Sequence, residues 1–302
     1  MKIETFSIVA GSEVCNARCP FCISKMTVEN GVPLKEPEVN RRNFAKACAL
    51  AKTSGVTTVM FTGKGEPTLF PYQITRFLEI LKSFEFPIIE LQTNGIKLYD
   101  NLSVPYLNKT DEKFRENIST WYELGMTTIA ISIVHYESEP NRQIYIPYRK
   151  EYIDLPILIR GLHTLGFSVR LTCIAANGFI DSAFELNSLL NFAKENEVEQ
   201  LTLTPVNKPE KEYSHNDEAW QWTEEHHLKE EQLEDITDYV EKSGVHLMTL
   251  PHGAKVFDVN GQNLCLNSCL TKDAASDNLR NLIFFPDGHL RYYWQYPGAI
   301  LL

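Results

Sequence analysis

The feature that most constrains this chain is an alternation. Between residues 6 and 206, six short β-rich runs alternate with five longer helical runs. "FSIVAG" reads as a strand, and after a loop "NRRNFAKACALAKTSG" reads as a helix stopped by Gly55. "TTVMFTG", "PIIELQTNG", "MTTIAISIVH", "FSVRLTCIA" and "VEQLTLTPV" read as five further strands. Between them stand "YQITRFLEILKSF", "DEKFRENISTWYELG", "DLPILIRGLHTLG" and "SAFELNSLLNFAKEN", all helical in period. Apolar strands separated by helices mean a parallel sheet covered by helices, because a parallel strand needs a crossover and buries both faces. A doubly wound sheet and an open barrel would give the same string.

Beyond Val206 the rhythm changes. "NKPEKEYSHNDEAWQWTEEHHLKEEQLEDITDYVEKSG" starts polar and ends as an amphipathic helix, and "VHLMTL" reads as a strand. "LRNLIFF" and "HLRYYW" flank Pro286-Asp287-Gly288 as a hairpin. The expected division is a core over residues 1–206 and, over 207–302, a closing helix with a small strand-containing extension.

Composition narrows the function. The 302 residues carry a formal net charge of -10, which argues against a duplex nucleic-acid partner. No run reaches the length of a membrane span, and "MKIETFSIVAGSEVC" carries Glu4 and Glu13 where a signal peptide would be apolar. The expectation is a cytoplasmic protein with no membrane partner. Its seven cysteines are then not a disulfide framework, and Cys48, inside a helical run, reads as a buried apolar residue.

Three of the seven stand in "CNARCPFC", directly after the first strand. Cys15, Cys19 and Cys22 can converge on one inorganic object, and sulfur ligation suits zinc or an iron–sulfur cluster. A closed zinc site would need a fourth ligand from afar, such as Cys265, Cys269 or a histidine. A cubane cluster on three cysteines keeps one iron open for a ligand. A second segment, "TGKGEPTLFP", follows the second strand. Its glycines allow close approach to a ligand, and its glutamate can accept hydrogen bonds from an amine.

Together these segments resemble the radical S-adenosylmethionine (radical SAM) enzymes. The resemblance covers about residues 5–206 and implies a partial (β/α)6 TIM barrel open at one side. It implies that Cys15, Cys19 and Cys22 hold a [4Fe-4S] cluster whose fourth iron is chelated by S-adenosylmethionine. Phe21 then lies near the adenine. Gly63, Lys64, Gly65, Glu66 and Pro67 match the family's Gly-Gly-Glu-Pro element beside the methionine amino group, with Lys64 in place of its first glycine. Asn94, in "TNG" with Thr93 and Gly95, would line the same cavity. Ser132 would lie near the ribose, Arg170 and Thr172 near the carboxylate or ribose, and the backbone around Leu203 near the adenine. An electron donor such as flavodoxin or ferredoxin is implied.

The tail resembles the SPASM/twitch-like extensions of some relatives in degenerate form, because the cysteine expected after "PDG" is absent. For Cys265 and Cys269 three readings stay open. They hold an auxiliary cluster with a further ligand such as Cys173, or one thiol donates a hydrogen atom, or both merely pack. His135 and Tyr136, with Cys265 and Cys269, are the candidate catalytic residues. Glu137, Asn177 and Asn207 are further polar candidates at strand ends. His215, His226 and His227 read as surface histidines. The expected function is reductive cleavage of S-adenosylmethionine and hydrogen abstraction from a small-molecule or nucleotide substrate. The alternatives are a peptide-modifying enzyme, a non-catalytic iron–sulfur or zinc-binding protein, and an inactive barrel acting as a scaffold.

Overall fold

Six parallel strands run side by side in chain order in a computed structural model of the protein. The structure describes residues 3–27, 32–33, 35–102, 111–208, 211, 216–267, 279–294, 296 and 298–302. The strands are β1 (Ile3–Val9), β2 (Thr58–Thr62), β3 (Ile88–Thr93), β4 (Thr128–Ile133), β5 (Ser168–Ala175) and β6 (Gln200–Pro205). The long crossover helices are α2 (Arg41–Thr53), α3 (Pro71–Leu81), α5 (Glu112–Trp121), α7 (Leu155–Thr164) and α8 (Ala183–Glu195). Their starts follow from local chemistry. Asn40, Asp111, Asp154 and Ser182 each accept a hydrogen bond from a backbone N–H in the first turn. Sequential parallel pairing with helices between makes this a partial (β/α)6 barrel.

Three short helices escape the sequence pattern: α1 (Ile23–Met26), α4 (Ile96–Leu102) and α6 (Ser138–Tyr145). The run after Val206 forms two helices rather than one, α9 (Asp217–His226) and α10 (Glu230–Ser243). Then come β7 (Gly244–Thr249), β8 (Lys255–Val259), β9 (Gln262–Leu266), β10 (Leu279–Phe284) and β11 (Leu290–Arg291).

The tail's strands do not form a sheet of their own. β9 pairs parallel with β6, and β8 and β7 continue antiparallel from it. β10 pairs parallel with β1 at the opposite edge, and β11 follows as its hairpin partner. The result is one 11-stranded sheet in the order β11-β10-β1-β2-β3-β4-β5-β6-β9-β8-β7. The turn between β7 and β8 reaches back across the open side, where His252 Nδ1 stands 3.4 Å from a carboxylate oxygen of Glu4 on β1.

One face of the sheet packs under the helices, where Phe6 and Phe61 of the strands meet Phe44 of α2 and Phe77 of α3 in the buried core. The other face lines the lumen. Alternation along β5 leaves Arg170, Thr172 and Ile174 half-buried and Leu171 and Cys173 fully buried. Among the described residues no helix is long and apolar enough to cross a membrane.

Candidate active site

The loops after β1, β2 and β3 meet at the C-terminal ends of the strands, where parallel barrels carry their chemistry. The loop of Gly63 to Pro67 lies directly against the cysteine loop. Gly65 N–H donates to the Ser12 carbonyl at 3.1 Å, and Glu66 N–H to the Val14 carbonyl at 3.0 Å. Only glycine fits there. A Cβ at Gly65 would stand 2.7 Å from the Ser12 oxygen and closer still to that of Val14.

Glu66 is 3% exposed and ties the three loops together. Its Oε1 accepts from Thr68 N–H at 2.9 Å, the Thr68 hydroxyl at 2.6 Å and the Thr93 hydroxyl at 2.7 Å. Its Oε2 accepts from Asn94 N–H at 2.9 Å. Burial raises the Glu66 pKa, and these donors oppose that rise. Oε1 is saturated, so Oε2 keeps the remaining acceptor capacity for a cationic group. Asn94 extends the network, its Nδ2 donating to Asn16 Oδ1 at 2.8 Å and lying 3.9 Å from Cys15 Sγ. Lys64 is buried in the same loop.

The cysteine loop is held from the other side by the segment after β4. Arg18 N–H donates to the Tyr145 carbonyl at 2.9 Å, and the Tyr148 hydroxyl donates to the Asn16 carbonyl. Phe21 packs edge-on against Tyr145 and lies 5.4 Å from the Trp222 ring of α9. Trp222 in turn stacks on His226 at 4.0 Å. The tail thus covers this loop, and His226 is half-buried rather than a surface histidine. His227 is exposed, while His215 lies outside the described residues.

Burial pushes the Cys15 thiol up to about 11, against the pull of the Ala17 N–H. It pushes Cys19 higher, with Cys22 and Cys15 adding to the rise. Thiolates here need a compensating cation. Among the described residues no three His, Cys, Asp or Glu side chains gather closely enough to share a single ion. A cubane instead takes each thiolate on a separate iron. The three thiols of one loop, with Lys25 nearby, fit that group.

Other expected residues fall differently. Ser132, Thr172 and Thr202 form one row across β4, β5 and β6, and Cys265 on β9 continues it. Arg170 sits one pleat lower, towards the N-terminal ends. Its guanidinium pairs with the fully buried Glu90 at 2.8 Å and donates to Gln200 at 2.9 Å. Arg170, expected beside the methionine carboxylate or ribose, thus engages Glu90 and Gln200 at the lumen floor. Cys173 is adjacent in register to Thr172 and faces the helices, so it cannot join Cys265 on one cluster. Cys269 lies outside the described residues.

His135 and Tyr136 also turn from the lumen. His135 Nδ1 accepts from Glu137 N–H, leaving Nε2 to face Glu185 of α8 at 3.4 Å. Tyr136 stacks on His135 and packs by Phe192 of the same helix. Leu203 points to the helical layer, and its carbonyl already accepts from Asn267 N–H at 2.9 Å. Asn177 is engaged by Gln232 at 3.0 Å, and the Asn207 side chain accepts from Lys208 N–H at 2.9 Å.

A family profile described as the Radical SAM superfamily matches residues 9–175. Among solved structures, SuiB from Streptococcus suis bound to S-adenosylmethionine has a TM-score of 0.61 at 15% identity, over 99% of this chain and 62% of that one. SuiB bound to its precursor peptide SuiA gives 0.58 at 15% identity, over 97% and 60%. A radical SAM methyltransferase from Sphaerobacter thermophilus gives 0.52 at 14% identity, over 95% and 70%. The chain therefore spans less than two thirds of the length of SuiB. No curated protein matches. At these identities the structural likeness establishes the fold.

Proposed function

Because the chain belongs to the radical SAM superfamily, we propose that it cleaves S-adenosylmethionine at a [4Fe-4S] cluster and turns the resulting radical on a peptide. When bound, the cluster and S-adenosylmethionine supply a one-electron reductive cleavage to methionine and a 5′-deoxyadenosyl radical. The protein's part is to hold and shield these groups. Cys15, Cys19 and Cys22 would ligate three irons. Glu66 Oε2 would accept from the methionine amine, and the Asn94 network would fix the cysteine loop against Glu66. Phe21 and Trp222 would exclude water from one side of the site. An electron donor of the flavodoxin or ferredoxin type would supply the electron.

The substrate class rests on one observation. The likeness to SuiB, a protein solved with its precursor peptide, runs over 99% of this chain and so includes the tail. This favours the peptide over the small molecule or nucleotide expected from sequence. In this reading residues 207–302 cover the barrel, and an auxiliary cluster through Cys265 is not required. A small polar substrate is favoured by a different observation, the polar row of Ser132, Thr172, Thr202 and Cys265 in the lumen.

The test is anaerobic reconstitution followed by an assay of 5′-deoxyadenosine with dithionite. About four irons per chain and cleavage lost in Cys19→Ala are expected. Pools of short synthetic peptides should stimulate turnover more than pools of nucleoside triphosphates. Stimulation by nucleotides alone would refute the peptide reading. Zinc in place of iron would refute the radical one.

A further inference from the structure

Two tyrosines beside the cysteine loop have hydroxyls that no sequence motif explains. Tyr145 ends α6 and is 2% exposed. Tyr152 lies in the loop before α7, and its ring stands 6.3 Å from that of Tyr145. Both hydroxyl oxygens are shielded from solvent, and neither has a hydrogen-bond partner among the described residues. An unpaired buried hydroxyl is costly, and two in one place call for an acceptor.

The acceptor is suggested by what surrounds them. The Tyr145 carbonyl receives the N–H of Arg18, next to Cys19, and the Tyr145 ring meets Phe21 edge-on at 6.4 Å between centroids. Cys19 and Tyr152 pack against the same buried cluster of which Tyr145 is a member. Both phenols lie within electrostatic reach of Cys19. Neutral pH is far below the ordinary phenol pKa of about 10, so both are O–H donors. A thiolate on iron is an acceptor, and hydrogen bonds to cluster sulfurs favour the reduced, more negative state.

We infer that the Tyr145 and Tyr152 hydroxyls donate hydrogen bonds to the Cys19 sulfur when the cluster is bound, and are positioning residues that raise its reduction potential. The inference rests on the reading of the cysteine loop as a cluster site. It concerns the protein's own donors rather than the identity of the substrate.

The experiment is a redox titration of the anaerobically reconstituted full chain, followed by the electron paramagnetic resonance signal of the reduced cluster. Wild type is compared with Tyr145→Phe, Tyr152→Phe and the double variant, which keep the rings and remove the hydroxyls. At the wild-type midpoint the ratio of reduced to oxidised cluster should fall several-fold in each single variant. In the double variant it should fall about tenfold, which is a midpoint about 59 mV lower. Tyr239→Phe, which removes a hydroxyl bonded to Asn187 Oδ1 between α10 and α8, should leave the ratio unchanged. An unchanged ratio in the double variant at full iron content would overturn the inference while leaving the cluster intact.

Wild type without a four-iron cluster would instead overturn the premise. Should the Phe variants lose iron, 3-fluorotyrosine at position 145 retains the ring and makes a stronger donor. The ratio should then rise, and a fall would overturn the inference.

Discussion

The two halves of the barrel mouth are built to different rules. At the ends of β1, β2 and β3, Glu66, Thr68, Thr93 and Asn94 bond to one another and to the cysteine loop. Across β4, β5 and β6, the side chains of Ser132, Thr172 and Thr202 face the lumen without a hydrogen-bond partner among the described residues. A closed network fixes geometry, which suits a group that must always sit in one place. A row of unengaged hydroxyls costs little to rearrange around a molecule that comes and goes. In the proposed function the bonded half would hold the cofactor, and the open half would face the substrate.

The largest break should come at the seam of the bonded half. Gly65→Val places side-chain atoms where the Val14 and Ser12 carbonyls already lie. The two loops must separate, at a cost of about 3 kcal/mol or more. Iron per chain after reconstitution and the urea midpoint should both fall. Full iron loading in this variant would show that the seam is not needed for the cluster.

Next in size is Glu66→Ala. It removes the acceptor for four hydrogen bonds in a buried place and should cost about 3 kcal/mol of stability. Calorimetry on the reconstituted protein should also show S-adenosylmethionine binding weakened by more than about tenfold, the loss of one charge-assisted bond. Unchanged affinity with lowered stability would make Glu66 a brace for the loops and nothing more.

The same division decided what could be read from the sequence. The bonded half announces itself, because its chemistry is local. Three cysteines lie in eight residues, and "GKGEP" and "TNG" each follow a strand. The alternation and the glycine stops likewise delimit the six strands. What stayed hidden depends on distance along the chain. The "PDG" turn gave β10 and β11 as a hairpin, but the parallel pairing of β10 with β1 joins residues some 275 positions apart. No local signal carries that. The family resemblance put Arg170 in the lumen without giving its height, and its partner Glu90 lies two strands away. Helices α4 and α6 are two turns long, too short for a helical period to stand out. Nothing local marks Tyr145 and Tyr152, which the fold brings beside the cysteine loop.

In the open half the expected effect is small, and that smallness is the test. Thr172→Val removes an unengaged, half-buried hydroxyl and keeps the shape of the side chain. Stability should change by less than about 0.5 kcal/mol, and iron content should not change. A loss above about 1 kcal/mol would mean that this row also braces the barrel, and the contrast between the halves would collapse.

The smallest effect concerns the turn that reaches back to β1. Burial and the charge of Arg280 hold His252 below its ordinary pKa, while Glu4 pulls the other way. In the unfolded chain the imidazole takes its proton near the ordinary value of about 6.5. Between that value and the lower folded one, the unfolded chain binds more protons than the folded chain. Stability from this residue is therefore present above about pH 6.5 and is lost as pH falls towards the folded pKa. His252→Asn should flatten that part of the profile by less than about 1 kcal/mol, measured as the difference in urea midpoints at pH 7.5 and pH 5.5. A wild type that instead gains stability relative to the variant on acidification would mean that the Glu4 contact outweighs burial. The tail would then be fastened to β1 by an ion pair rather than by packing.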